Sequence, residues 1–512
     1  MVEKLQTFIS RTAYVIYGVL FGFIFYAAMF NNTAFEYDSA AIFKYMGLVL
    51  LYLAALLLVY RLCWRFIYKY RYIFLVLVCA LVFRAQYNVG NNIVHWAIYD
   101  HERVLHGAMM WAQGITGEEF APYSAYVHYY TNNLGLFMVQ QRLFKLGMSM
   151  GCTNLYTVAI FTGHIIFAVM LVTSFMYLDE NISGHRAVFF LFTITLYLPL
   201  YFQSSISYTD TYSVWGIPCL LFLISRGIRA DSMVKKIIYA LLTAPVMAVA
   251  VQIKTTVAIV AIALLIQMAI HNLQIKNAAF FAVLLAGFVG CYSAFNHWTY
   301  STVRDPARDM EAMPVTHWLM MGLQGDGAYN GTDEHRITLS VPPEKRVEKN
   351  IEVIKQRLED MGPEGYMQLL YRKTCRTFGS GNAEVYYTFK YDESDTTPFN
   401  FVYECTLEEG RYYPYLNLAS QTVYMTAVLL GVAGAVLAVI KKYNLNNFAP
   451  HVALIGFWMF MMLWESNHRQ LINQWSLLFM ASAIGLANIW QLLLAPKEKQ
   501  TVIEETEKDK VF

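Results

Sequence analysis

The chain has 512 residues, of which 57% are hydrophobic and only 14% charged, with a formal net charge of +2. A soluble domain carries about 25% charged residues, and a chain this long has too few polar helix faces to cover so much apolar sequence. The balance excludes a soluble globular protein, and it gives no reason to expect a nucleic-acid partner.

Apolar runs near twenty residues recur from end to end, the length a helix needs to cross a ~30 Å hydrocarbon core. Expected spans fall at about 12–30, 44–61, 72–88, 153–177, 187–204, 210–226, 237–252, 255–271, 278–297, 418–440, 449–464 and 472–493. The first begins near Arg11 without a small-residue cleavage site and reads as a signal anchor with a cytoplasmic N-terminus. Twelve spans then return the C-terminus to the cytoplasm. The basic residues agree with that count, because cytoplasmic loops carry the excess of Lys and Arg. Arg61, Arg65, Lys69 and Arg71 share one such loop, Arg226, Arg229, Lys235 and Lys236 another, and Lys441 and Lys442 a third. The fold class expected is an all-α polytopic membrane protein.

Two longer segments interrupt the spans. In the first, 89–152, the stretches 101–114 and 130–147 are amphipathic and read as interfacial helices at the outer surface. Taking 130–147 as a span would put the Arg226–Lys236 cluster outside. The second, 298–417, is polar enough to form a small external domain. Its helical pattern at 344–362 ends on Gly362-Pro363, a stop signal. The organisation expected is therefore a transmembrane module over 1–297, the external domain over 298–417, C-terminal spans over 418–493 and a charged cytoplasmic tail over 494–512. The seven cysteines show no metal spacing, and Cys375 and Cys405 can pair if their segment is exported.

Chemistry-bearing residues gather at the predicted outer ends of spans. Asp100-His101-Glu102-Arg103 follows the third span, and the connection between the two amphipathic stretches holds Tyr123, Tyr126, His128, Tyr129 and Tyr130. A loop that only joined two spans would be shorter, and long loops rich in polar and aromatic residues more often bind something. Asp210, Lys254, Glu465, His468 and Arg469 lie at the same predicted face. Plainer roles exist for each: solvation for Asp100, helix capping for Asp210, snorkelling for Lys254 and Arg469, and interface anchoring for His317 and Trp318.

In order along the chain, these residues resemble the motifs of the GT-C glycosyltransferases, in particular those like protein O-mannosyltransferases and the lipid A aminoarabinose transferase (the family 39 type), in a Gram-positive bacterial form. Asp100, Ala108 and Gly114 match the offsets of an acidic D-E-x-x-Y-x-x-x-A-x-x-x-x-x-G pattern, with the acid pair split between Asp100 and Glu102. Tyr130-Thr131-Asn132-Asn133-Leu134-Gly135 is similar to the aromatic stretch that follows it. Tyr208-Thr209-Asp210 is similar to a T-D signature, Gln252-Ile253-Lys254-Thr255 to a K-containing link, and Glu465 to Gln470 to a late E-x-x-x-R element. Pro314 to Trp318 resembles a segment of Gram-positive membrane transferases.

The resemblance implies transfer of a sugar from a polyprenyl-phosphate donor to an envelope acceptor: a glycan, a teichoic-acid-type polymer, a lipid or an exported protein. The reaction would be inverting, at the extracytoplasmic face of the plasma membrane. Such transfer needs a base for the acceptor hydroxyl and cations for the departing phosphate. Asp100 is the candidate base, and Lys254, Arg469 and His468 are the candidates for the phosphate. Glu102, Tyr126, His128, Asn132, Asn133, Asp210, Glu465 and His317 are the candidates around the substrate. No cofactor or metal is expected. A lipid-linked polysaccharide polymerase or ligase, and a flippase without chemistry, are the alternatives. Ionisable groups gathered at one face, rather than along a path through the membrane, favour the enzyme.

Overall fold

The computed structural model describes residues 2–30, 39–92, 96–97, 99–303, 311–383, 389–390, 400–443 and 445–493. In a hydrocarbon core every backbone group must be satisfied within its own segment, so apolar runs of this length fold as helices. The order begins α1 (Val2–Phe30), α2 (Ser39–Lys69), α3 (Arg71–Asn91), α4 (Tyr99–Gln113), α5 (Ala121–Tyr129), α6 (Leu134–Ser149) and α7 (Leu155–Asn181). It continues α8 (Gly184–Ile194), α9 (Pro199–Gln203), α10 (Thr209–Tyr212), α11 (Gly216–Arg229), α12 (Met233–Ile253), α13 (Ala258–His271) and α14 (Ile275–Thr302). Last come α15 (Val315–Met321), α16 (Arg346–Phe378), α17 (Phe401–Thr406), α18 (Tyr413–Lys441), α19 (Ala449–Leu463) and α20 (Trp475–Leu493).

Among the described residues nine helical stretches are long and apolar enough to cross a membrane, and three shorter apolar ones, Gly184–Ile194, Thr255–His271 and Ala449–Leu463, complete the twelve spans expected. The protein is a polytopic all-α membrane protein. The amphipathic stretches 101–114 and 130–147 are the helices α4 and α6. A two-residue antiparallel pairing, β1 (Trp96–Ala97) with β2 (Phe389–Lys390), links the two interrupting segments. The tail 494–512 lies outside the described residues.

Helix α20 forms the centre, buried almost throughout and packed on α18, α8, α7 and α11. It touches α18 through glycines: a Cβ on Gly434 would meet Gly485 Cα at 2.6 Å, and one on Gly485 would run into the Leu430 carbonyl. Small residues let backbones approach where lipid supplies no hydrophobic drive for association. Gly485→Ala should therefore destabilise the bundle by about 1–3 kcal/mol, read as a lowered thermal midpoint in detergent. The obstacle is backbone, so Leu430→Ala should not rescue it; rescue would show that side-chain packing sets this contact.

The two ends of the bundle differ. At one, Arg71 pairs with Asp179 (2.7 Å), Arg226 and Arg229 pair with Glu180, and Asn447 donates to the Asn181 carbonyl. These contacts collect the basic clusters singled out in the sequence. Helix α12 starts beside them at Lys235 and Lys236 and rises 21 residues, about 30 Å, to finish before Lys254 at the opposite end.

The described residues of 298–417, a segment expected as an external domain, pack on the bundle itself. Helix α16 breaks at Gly362, whose φ of 57° lies outside helical space, and its second half then packs on α1 and α19. The Trp458 indole donates to Thr374 at 3.1 Å, and Phe378 meets Phe21 and Phe457. Cys375 and Cys405 sit unbonded on α16 and α17.

Candidate functional site

Asp100 and Glu102 occupy the first turn of α4, where the helix dipole favours negative charge. Tyr99, immediately before, is held at φ 53°, a left-handed conformation that costs a non-glycine residue on the order of 1–2 kcal/mol. Such strain persists only where the surroundings impose it.

The Asp100 carboxylate accepts from the Tyr208 hydroxyl at 3.4 Å. The Tyr208 ring lies 4.2 Å from that of His101 and 4.8 Å from the Arg469 guanidinium. Two residues on, Asp210 is 1% exposed and is flanked by both expected cations: Arg469 Nε is 3.0 Å from one oxygen, and Lys254 Nζ pairs with the other.

Local backbone explains the meeting. Lys254 sits in the break between α12 and α13 with extended dihedrals, so its side chain leaves the helix path. Asn467 accepts from the Arg469 amide at 2.9 Å and starts the 3₁₀ stretch His468–Gln474, which packs on α10. Irregular backbone at membrane depth is tolerated where protein buries it or a cavity needs it. Asp210 is not the helix cap; Tyr208 holds that position.

Two cations against one carboxylate leave this triad with a formal charge of +1. It can accept an anion, while Asp100, reached through Tyr208, can accept a proton. Around Asp100, the Asn133 amide donates to the Tyr126 hydroxyl at 2.7 Å. Burial pushes the Tyr126 phenol well up, with Tyr208 and Asp100 adding to the shift. The Tyr208 phenol is raised by burial and by Asp100 in the same way. Both stay neutral donors at any ordinary pH.

Other expected residues stand apart from this cluster. Glu102 turns to His106, one helical turn on, at 3.8 Å. His128 is buried and its Nδ1 bonds the Ser124 carbonyl at 2.6 Å, while Asn132 is exposed. His317 belongs to a core: it is 1% exposed and bonded to Thr338 at 2.8 Å, and burial holds its imidazole below the usual range. His468 is buried, and Arg376 and Thr377 of α16 both act on its ring. Glu465 lies near enough to Lys373 and Tyr329 for its charge to act on both.

Several site residues went unassigned from sequence. Tyr208 stands in the T-D motif, where nothing local marks it as the link to Asp100. Glu334 accepts from the hydroxyls of Tyr130 and of Tyr329, the latter at 2.6 Å. Lys373 is wholly buried and donates to the carbonyls of Gly322 (2.9 Å) and Trp464 (2.7 Å); burial pushes its ammonium down to about 8. The Gly325-Asp326-Gly327 run signals a turn, but no local pattern announces contacts across such separations. Among the described residues no three His, Cys, Asp or Glu side chains group to hold a metal ion.

Fold and site together define a polytopic helical membrane protein that assembles two carboxylates and two cations at the bundle end opposite its basic loops. The chain belongs to the family described as conserved hypothetical integral membrane protein, whose model matches residues 5–489. No curated protein matches it. Among solved structures it is similar to ArnT from Cupriavidus metallidurans bound to undecaprenyl phosphate, at 12% identity over 83% of this chain and 81% of that one, with a TM-score of 0.37. It is also similar to the archaeal oligosaccharyltransferase AglB from Archaeoglobus fulgidus, in complex with an inhibitory peptide and a dolichol-phosphate. There the identity is 11% over 85% of this chain and 52% of that one, with a TM-score of 0.42.

Proposed function

We propose that the chain is a GT-C glycosyltransferase that moves a sugar from a polyprenyl-phosphate donor to a hydroxyl of a cell-envelope acceptor. One observation carries the reading: Asp100 is joined through Tyr208 to the Arg469–Asp210–Lys254 triad. Acyl or phosphoryl transfer would need a nucleophile or a nucleotide-phosphate cradle. Sugar transfer from a lipid phosphate needs only a base and a cationic seat for the leaving group.

In the mechanism, the acceptor oxygen attacks the anomeric carbon as the bond from that carbon to the phosphate oxygen breaks. Asp100 takes the acceptor proton. The departing polyprenyl phosphate keeps the bonding electrons, and its charge is met by Lys254 and Arg469. A single displacement inverts the anomeric configuration. The site faces the extracytoplasmic side, because the opposite end carries the basic clusters that stay inside.

The test is direct. Purified protein in nanodiscs receives a radiolabelled polyprenyl-phosphate hexose with an envelope extract as acceptor, and release of free polyprenyl phosphate is followed. Transfer dependent on the protein is expected, and Arg469→Met should slow it about 10²–10³-fold, the scale of losing one group that stabilises developing charge. Movement of intact lipid between leaflets of proteoliposomes, with no bond broken, would assign a flippase instead. Turnover confined to lipid-diphosphate donors would assign a polymerase or ligase.

A further inference from the structure

The two halves of the site come from distant parts of the chain, and the Tyr208 hydroxyl is the direct side-chain link between them, at 3.4 Å from Asp100. A third element touches both. Residues 313–338 reach the Asp100 side twice: the Met313 amide donates to the Tyr129 carbonyl at 2.9 Å, and Glu334 accepts from Tyr130. They reach the Arg469 side as well. The Ser466 amide donates to the Gly327 carbonyl at 2.7 Å, and Lys373 ties the Gly322 and Trp464 carbonyls together from beneath.

The strap is stiffened from α16. Arg357 makes a bidentate pair with Asp333 at 2.7 and 2.8 Å and donates to the Met320 carbonyl. Asp333 therefore has its cation, whereas its neighbour Glu334, 7% exposed, is satisfied by two phenols instead. Burying a carboxylate on neutral donors is unfavourable unless the hydrogen bonds are good. Those bonds end on a tyrosine from each of the two interrupting segments. Both phenols also feel the charge of Asp100, which puts the clasp beside the candidate base.

We propose that residues 313–338 form a strap that sets the spacing between Asp100 and the Arg469–Asp210–Lys254 triad, with Glu334 as its positioning residue. The proposal rests on the transferase reading for its kinetic consequence, and on geometry alone for its structural one. A strap of this kind governs approach of the acceptor oxygen to the anomeric carbon and leaves the phosphate seat intact. A misplacement near 1 Å is worth about 10²-fold in rate.

Glu334→Ala and Glu334→Gln, in nanodiscs, test it. The alanine variant is expected to lose about 10- to 100-fold in kcat, with KM for the polyprenyl-phosphate donor little changed. The glutamine variant keeps an acceptor oxygen for one phenol and can donate its amide N–H to the oxygen of the other, so it should recover most of the loss. Full kcat in the alanine variant overturns the proposal, as does an equal effect on donor KM, which would make Glu334 a donor ligand. Failure of glutamine to rescue also overturns it, since the charge itself would then matter. Hydrogen–deuterium exchange over residues 126–134 gives a readout free of turnover: faster exchange in Glu334→Ala and wild-type rates in Glu334→Gln are expected. Unchanged exchange in the alanine variant removes the strap even if transfer is real. Undiminished turnover in Asp100→Asn, run beside it, removes the base assignment while leaving the exchange result standing.

Discussion

Asp100→Asn is expected to slow transfer by about 10²–10⁴-fold, the range a positioned general base contributes, while the protein folds and binds donor as before. The substitution keeps shape and an acceptor oxygen, so the Tyr208 hydroxyl retains its partner. What goes is the negative charge, and with it the capacity to take a proton. Single-turnover rates, donor binding and thermal midpoint should be measured together. A rate loss with unchanged binding identifies an interaction made only in the transition state. Glu102→Gln is the matched control. Its carboxylate faces His106 along the same helix, so its effect should stay within a few-fold. If the two variants are equally impaired, the acid pair acts as a unit, and the assignment of Asp100 alone fails.

The bundle was readable because membrane spans obey the strictest rule available to sequence: a run such as 418–440 is too long and too apolar to be anything but a crossing helix. The basic clusters were readable for a related reason, since Arg226 and Lys236 are far cheaper in a loop than in lipid. The site was legible only as a list. Asp100, Asp210, Lys254 and Arg469 each stood at the end of a predicted span, and a common face follows from counting spans. Their partners do not follow. Arg469 and His468 are adjacent in sequence, yet one reaches Asp210 and the other packs on α16, because a single residue of 3₁₀ helix turns the chain by about 120°. Glu334 and Tyr130 are 204 positions apart, and no periodicity spans that distance. His317, a candidate around the substrate, is buried by packing that includes a contact with Thr338.

Asp210→Asn should produce the largest change in stability, and its size should depend on ligand. The carboxylate is 1% exposed with a cation at each oxygen. Removing its charge leaves Lys254 and Arg469 facing one another, and breaking a buried pair in this way costs about 3–5 kcal/mol. In lipid free of phosphate carriers the variant should therefore melt well below wild type. An incoming phosphate offers both cations the anion they have lost. Free polyprenyl phosphate at 100 times its Kd stabilises any binder by about 2.7 kcal/mol. The variant, carrying a formal +2 in place of +1, should bind more tightly than wild type and recover more. Turnover should nevertheless fall, since a seat that grips the ground state as firmly as the transition state adds nothing to kcat. Melting curves of both proteins across a polyprenyl-phosphate titration, with a neutral polyprenol as control, decide the matter. A larger ligand-induced shift in Asp210→Asn than in wild type means that the cations face the donor. Equal shifts, or rescue by the neutral lipid, mean that Asp210 only holds two helices together and that the phosphate binds elsewhere.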